Sequence, residues 1–411
     1  MISYKWVKGS SVQAVEKYLS GVLGDTSAVT STGEYYGKEA GFLFETKSQE
    51  IDKYLKEKNA HTQIEKMSLL RGRKRIGLDM TFSFTKDISV LSLVFDENVR
   101  NTIRDEMQKL IQKINNEYIE TRSYDSAGNR IREKATALIQ TYEHHTSRDL
   151  DPELHYHNFI SNQVIRQSDG KLTSLSNEKL VENTNTIRVE TNYKIAYRLQ
   201  REHGYDTYLD SIGALRVLDD ERLIEAFSKR TQAIKMLAKE RYGTDDLSSL
   251  SREQVKELVM ATRKTKRNEK LETLLDAWKD ELRDLGYDEK SFTQAIQNTR
   301  TNVLERQDFE KAFDIVLAKY DEKEGIFSRD KAYRDYLIML SEVAKERQAL
   351  LPELNTAKQT FDELIQEKQL HGFHDDRNRE YLATGEYLRI EQEALKVVLS
   401  MMRERKTDMF T

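Results

Sequence analysis

The chain of 411 residues has no cysteine and only two prolines, Pro152 and Pro352. The lack of cysteine excludes disulfides and thiolate metal ligands, and it suits a reducing cytoplasm. With so little proline to interrupt them, long helices are expected. No run of about 18 apolar residues occurs, so no membrane-spanning helix is expected. The opening MISYKWVKGSSVQAVEKYL lacks the apolar segment of a secretory signal. A strong excess of one charge is also missing. The formal net charge is −4, so any contact with nucleic acid must come from local basic patches. No Walker A phosphate loop is present. What the chain does have is 38% hydrophobic and 33% charged residues, enough for a substantial core and for more than one unit.

Histidine is scarce too, with eight in all, but four of them fall at positions 144, 145, 155 and 157. The run LHYHNFISNQVI has the Val, Ile, Tyr and Phe content of a strand. His155 and His157 stand two apart, so on a strand both rings leave the same face. The preceding run ATALIQTYEH also reads as a strand, with His144 near its end and the polar TSRDLDPE as the connection. Two adjacent strands can then bring three imidazoles together. Neutral imidazole is a common ligand for divalent metal, although spacing alone names neither the metal nor the reaction.

The stretch HHTSRDLDPELHYHNFISN resembles the three-histidine signature of MobF-type conjugative relaxases. That signature runs His-x-Thr-Ser-Arg, several mostly polar residues, then Leu-His-x-His. It maps onto His144, Thr146, Ser147, Arg148, Leu154, His155 and His157, and so selects His144 rather than His145. The resemblance extends over roughly residues 10–290. GLDMTFSFTKDIS matches a family segment at Asp79, Thr81, Phe82, Ser83, Lys86 and Ser89, with Phe84 and Thr85 in place of a small residue and proline. GKEAGFLF, EAFSKRTQAIKML and TRKTKR resemble three further family segments.

Several residue assignments follow from the resemblance. Tyr18 lies inside the first expected helix, SSVQAVEKYLSGVL, where family nucleophiles sit. By its spacing alone it would be a core aromatic. Many relatives carry paired tyrosines at this point, whereas here Tyr18 is followed by Leu19, and Tyr35 and Tyr36 are the possible second tyrosines. Asp79 is expected beside the histidine cluster or the tyrosine hydroxyl. The run Arg71, Arg73, Lys74 and Arg75, just before a site strand, is a candidate for phosphate contact. Lys86, Arg148, Lys229, Arg230, Arg263, Lys264, Lys266 and Arg267 are further candidate DNA contacts.

In chain order, ISYKWV is expected as a strand and 46–75 as a charged helical connection. An amphipathic helix is expected over 97–121, a turn at SAGNR, a hairpin turn at 168–170 and a helix over 177–202. The expected fold is α+β. An antiparallel sheet carries Asp79, His144, His155 and His157, helices lie against the opposite face, and a mostly helical C-terminal region follows. The expected division is a relaxase domain over 1–297 and a charged helical region over 298–411, where SEVAKERQALLPELNTAKQTFDELIQEKQL has coiled-coil-like composition.

The implied function is nicking and rejoining of one DNA strand at a transfer origin in plasmid conjugation. The route is metal-assisted transesterification through a 5′-phosphotyrosine link. Magnesium or manganese is the metal the resemblance favours, while imidazoles alone would also suit zinc. The implied partners are single-stranded origin DNA, accessory relaxosome proteins and a coupling protein. The helicase half of larger family members is not expected in this chain. The rival readings are a rolling-circle replication initiator, which shares the chemistry, and a non-catalytic DNA-binding protein that keeps the fold. A helical scaffold is a third, resting on the C-terminal region alone.

Overall fold

The computed structural model describes residues 1–9, 11, 40–262, 271–375 and 379–408. Tyr18, Tyr35 and Tyr36, the first expected helix, and Arg263, Lys264, Lys266 and Arg267 lie outside the described residues. The chain divides into two compact units. The first comprises Met1–Thr184, Arg201–Thr207 and Ala214–Asn298. The second comprises Asn185–Gln200, Tyr208–Gly213 and Thr299–Thr411.

The first unit is built on five antiparallel strands. In chain order these are β1 (Ile2–Lys8), β2 (Ala40–Glu45), then β3 (Arg75–Ser83) after two helices, α1 (Gln49–Glu57) and α2 (Gln63–Leu69). α3 (Lys86–Val90), a short π-helical turn over Leu91–Phe95, and α4 (Glu97–Glu117) follow. β4 (Glu120–Tyr124) and β5 (Arg130–Thr136) lead to the long hairpin of β6 (Ile139–Thr146) and β7 (Pro152–Ser161), then β8 (Gln163–Arg166) and β9 (Leu172–Ser176). The main sheet has the order β1-β3-β7-β6-β2, and β4, β5, β8 and β9 close into a small barrel.

The sheet has two chemically distinct faces because side chains alternate along each strand. Leu78, Met80, Phe82, Tyr156 and Ile160 are buried on one face. Along α4, Val99, Ile103, Met107, Leu110, Ile111 and Ile114 are buried at helical spacing. Arg104 of α4 reaches Glu143 of β6, which places α4 over this face. The opposite face carries the histidines at one end. At its other end α2 packs Met67 and Ile64 against Tyr142, Phe159 and Val7. Gly77 lets this packing close, because a Cβ there would stand 2.5 Å from the Phe159 ring.

One local expectation changes. The helix expected over 97–121 ends at Glu117, because 120–124 form β4, paired with β5 and β9 with Thr121 buried. Barrel pairing overrides the helical pattern at that point. Phe84, standing where the family has a small residue, packs edge-on against Tyr156 at 6.2 Å between ring centroids. The turn at 168–170 is a β8–β9 hairpin turn with Gly170 at φ +69°.

The second unit is mostly helical. Arg306–Lys323, Arg329–Glu346 and Leu354–Glu367 bring Phe313, Tyr333, Tyr336 and Phe361 into mutual ring contact. Ile326–Ser328, Glu380–Ala383 and His371–His374 form a three-stranded antiparallel sheet. The coiled-coil-like composition over 341–370 does not give a continuous helix. The chain breaks after Glu346, passes Gln348 at φ 51° and Pro352, and resumes as a helix burying Leu354, Ala357, Phe361 and Leu364.

Candidate functional site

The site is built from the β6–β7 ladder. His144 and His155 are direct partners across it, and His157 follows two residues along the same face. Their ring centroids lie 4.8–5.4 Å apart, and one ring nitrogen from each falls within 4.8 Å of the other two. Adjacent His145 takes no part. Its Nε2 lies 2.7 Å from Glu143 Oε1.

Two of the imidazoles are oriented from behind. His157 Nδ1 lies 3.0 Å from both carboxylate oxygens of Asp79 on β3, and 3.2 Å from Thr81 Oγ1. An ionised carboxylate only accepts, so His157 carries its proton on Nδ1 and presents a bare Nε2. His155 Nδ1 lies 2.9 Å from the Glu153 carbonyl, which likewise assigns its proton to Nδ1. Burial pushes the His155 pKa down to about 4, with Glu153 opposing and His157 adding to the shift. The ring is therefore neutral and able to ligate through the physiological range.

These features fit a divalent metal. Three imidazole nitrogens converge, two of the rings with the outer nitrogen engaged by an acceptor, the usual support of a ligating histidine. Such a set leaves coordination positions for oxygen ligands from substrate or water.

The β6–β7 connection is itself anchored. Ser147 Oγ accepts from the backbone N–H groups of Asp149 and Asp151, at 3.2 and 3.1 Å. Leu150 sits at φ 65°, an unfavourable value for a branched side chain, and its carbonyl accepts from Trp278 Nε1 at 2.8 Å. Asp151, 1% exposed, accepts from the backbone N–H of Lys229 at 3.0 Å. Lys229 begins the helix Lys229–Tyr242. Its Nζ lies 3.4 Å from Asp151 and 2.8 Å from Glu281. Arg148, half-buried, rides on this anchored loop.

The other cations named from sequence are distributed unevenly. Arg73, Lys74 and Arg75 are exposed where the chain enters β3, and the Arg75 guanidinium stacks 4.5 Å from the Trp6 ring. Arg71 donates to the Ser68 carbonyl. Lys86 donates to the Pro152 carbonyl at 3.1 Å, with Glu153 4.0 Å away. Arg230 donates to the Val259 carbonyl at 3.3 Å.

Two features of the neighbourhood were not anticipated. Glu143, 3% exposed, accepts from Arg104 at 2.6 and 2.7 Å and from the Tyr156 hydroxyl at 2.9 Å, on the face behind His144. Burial would raise its carboxyl, but Arg104 and His145 outweigh that and hold its pKa down at about 2. Lys5 pairs with Asp79 across the β1–β3 ladder, so it shares the histidine face. The period-2 alternation of ISYKWVK carried the signal for Lys5. For Glu143 nothing local did.

Comparison with known proteins places the chain. The model of a family described as TrwC relaxase matches residues 9–285. Two curated proteins, both multifunctional conjugation protein TraI of Escherichia coli, are 26% and 27% identical over 236 residues. That match covers 54% of this chain but only 12% of each relative. Among solved structures, the metal-bound conjugative relaxase TrwC in complex with oriT DNA is 25% identical with a TM-score of 0.56. It covers 70% of this chain and 99% of that one. The metal-free TrwC complex with oriT DNA gives 25% identity, a TM-score of 0.55 and the same coverage.

Proposed function

This chain belongs to the TrwC relaxase family, and on that premise we propose that it nicks and rejoins one DNA strand at a transfer origin. The observation that carries the reading is the convergence of His144, His155 and His157 on one sheet face, with Asp79 holding His157 from behind. A divalent ion held there supplies neutralisation of the charge that grows on a scissile phosphate. We take magnesium or manganese as that ion, with zinc as the alternative that three imidazoles also suit.

The chain's own groups do the rest. The Tyr18 hydroxyl is the nucleophile. Its oxygen bonds to phosphorus, the bond to the 3′ oxygen breaks, and the tyrosine proton passes to solvent base while the 3′ oxygen is protonated. The 5′-phosphotyrosine link conserves the phosphodiester, so rejoining is the same displacement in reverse. Tyr35 and Tyr36 are the reserve for a second displacement. Asp79 orients His157 instead of activating the tyrosine, since both its oxygens already face Nδ1.

Arg73, Lys74 and Arg75 offer exposed charge for the phosphate backbone, with Arg148 nearer the site and Arg263, Lys264 and Lys266 as further contacts. Lys86 and Lys229, assigned at first to DNA, act in this reading by holding the ligand hairpin. The relaxase activity is placed in residues 1–297, with 298–411 as an appended helical region. Among the described residues no helix is long and apolar enough to cross a membrane. The proposed setting is the cytoplasm, with single-stranded origin DNA, accessory relaxosome proteins and a coupling protein as partners.

The test is a denaturing gel of the protein incubated with end-labelled single strands tiling the DNA that flanks its gene, with and without manganese. A metal-dependent covalent adduct on one strand supports the reading. Specific binding without any adduct favours a non-catalytic DNA-binding protein.

A further inference from the structure

We propose that Lys5 is a phosphate-binding residue on the path by which a single strand reaches the histidine site. The proposal rests on the DNA-nicking reading above, and it adds a residue that neither the spacing of the motifs nor the resemblance singled out. The argument begins with register. β1 and β3 pair antiparallel with Ser3 opposite Thr81 and Lys5 opposite Asp79. Directly opposed residues of an antiparallel pair project from the same face. Asp79 and Thr81 both point to His157, so their face is the histidine face, and Lys5 leaves the sheet on it.

The second step is position. β1 lies beside β3, and β3 beside β7, so Lys5 stands two strands from His157. At about 4.8 Å per strand its backbone is on the order of 10 Å from that of β7. A flexible four-carbon stem at that distance serves a phosphate neighbouring the scissile one, not the scissile phosphate itself.

The third step is electrostatic. The group that holds His157 from behind, Asp79, is a carboxylate on the same face. The divalent ion serves the scissile phosphate, so the phosphates flanking it on the β1 side need a cation of the chain's own to offset Asp79. Lys5 is the lysine on the adjacent strand in direct register with Asp79. It is exposed, and among the described residues its side chain makes no hydrogen bond or ion pair beyond the ladder its backbone forms with β3. Arg71, Lys86, Lys229 and Arg230, by contrast, each already donate to a carbonyl or a carboxylate.

The experiment compares wild type, Lys5→Met and Lys5→Arg for binding to fluorescein-labelled oligo(dT) across a salt series. A parallel adduct assay uses the tiled single strands. The site is exposed on a strand, so Lys5→Met should keep the wild-type unfolding midpoint. Loss of one single-strand phosphate contact should lower the slope of log affinity against log salt by about 0.7. Affinity at low salt should fall several-fold, and Lys5→Arg should restore both. A Lys5→Met slope and affinity equal to wild type would overturn the proposal. If that occurs while wild type still forms adducts, the phosphate contact fails and the nicking reading stands. A Lys5-dependent slope without any adduct leaves the contact standing and removes the nicking reading. No binding of oligo(dT) by wild type overturns the phosphate contact, and the adduct assay alone then decides the nicking reading.

Discussion

His157 Nδ1 lies 3.0 Å from each carboxylate oxygen of Asp79, so a single proton on that nitrogen fixes both the tautomer and the tilt of the ring. Acceptors of this kind behind a ligating imidazole typically account for about 10- to 100-fold in metal affinity. Asp79→Ala should therefore weaken manganese binding by roughly that factor while leaving the far-ultraviolet circular dichroism unchanged. Calorimetric titration with manganese measures it, and equal affinity would refute the orienting role.

His157→Ala removes a donor outright. Cleavage should fall by orders of magnitude, because charge stabilisation is concentrated at that point. Affinity for single-stranded DNA should largely persist, because it is spread over many phosphate contacts. Chelator should reproduce the loss in wild type, and added manganese should reverse it. Full cleavage by the variant in chelator would disprove the metal site.

Tyr18→Phe keeps the ring and removes the hydroxyl. The variant should bind DNA as wild type does and form no covalent adduct. Peptide mapping of the wild-type adduct should find the nucleotide on Tyr18. An adduct on Tyr35 or Tyr36 would transfer the role to that residue.

Acid should loosen the sheet behind His144. The Glu143 pKa is held at about 2 against an ordinary 4.5, so its stabilisation is complete above about pH 4.5 and is lost as the pH falls toward 2. The shift corresponds to on the order of 3 kcal/mol. Glu143→Gln should lower the unfolding midpoint at neutral pH, where Arg104 loses its partner, and should flatten the decline between about pH 5 and 3. A wild-type midpoint that is flat across that acid range would contradict the assignment.

The Asp151–Lys229 anchor should act on the site through the hairpin it holds. Asp151→Asn keeps the shape and removes the charge. It should reduce manganese affinity several-fold together with adduct formation, whereas Lys229→Met should mainly affect stability, since its backbone N–H still reaches Asp151. Manganese affinity unchanged in Asp151→Asn would show the loop to be independent of the ligands.

Local pattern carried a good part of this protein. The period-2 spacing of His155 and His157 put both rings on one face before any neighbour was known, and residue content marked β6 and β7 as strands. The resemblance then separated His144 from His145, a choice that spacing left open. What sequence could not supply was register. Which residue of β1 stands opposite Asp79, and which of β7 opposite His144, depends on how separate strands align. That alignment is set by the burial of Leu78, Met80, Tyr156 and Ile160 against the core, not by any short stretch of chain. For the same reason Lys229 read as a candidate DNA contact until folding brought it 78 positions back to Asp151. Nothing in the sequence around Glu143 marked the buried charge that Arg104 and Tyr156 enclose. Periodicity is a property of one segment, whereas a buried charge or a shared face is decided by which segments meet.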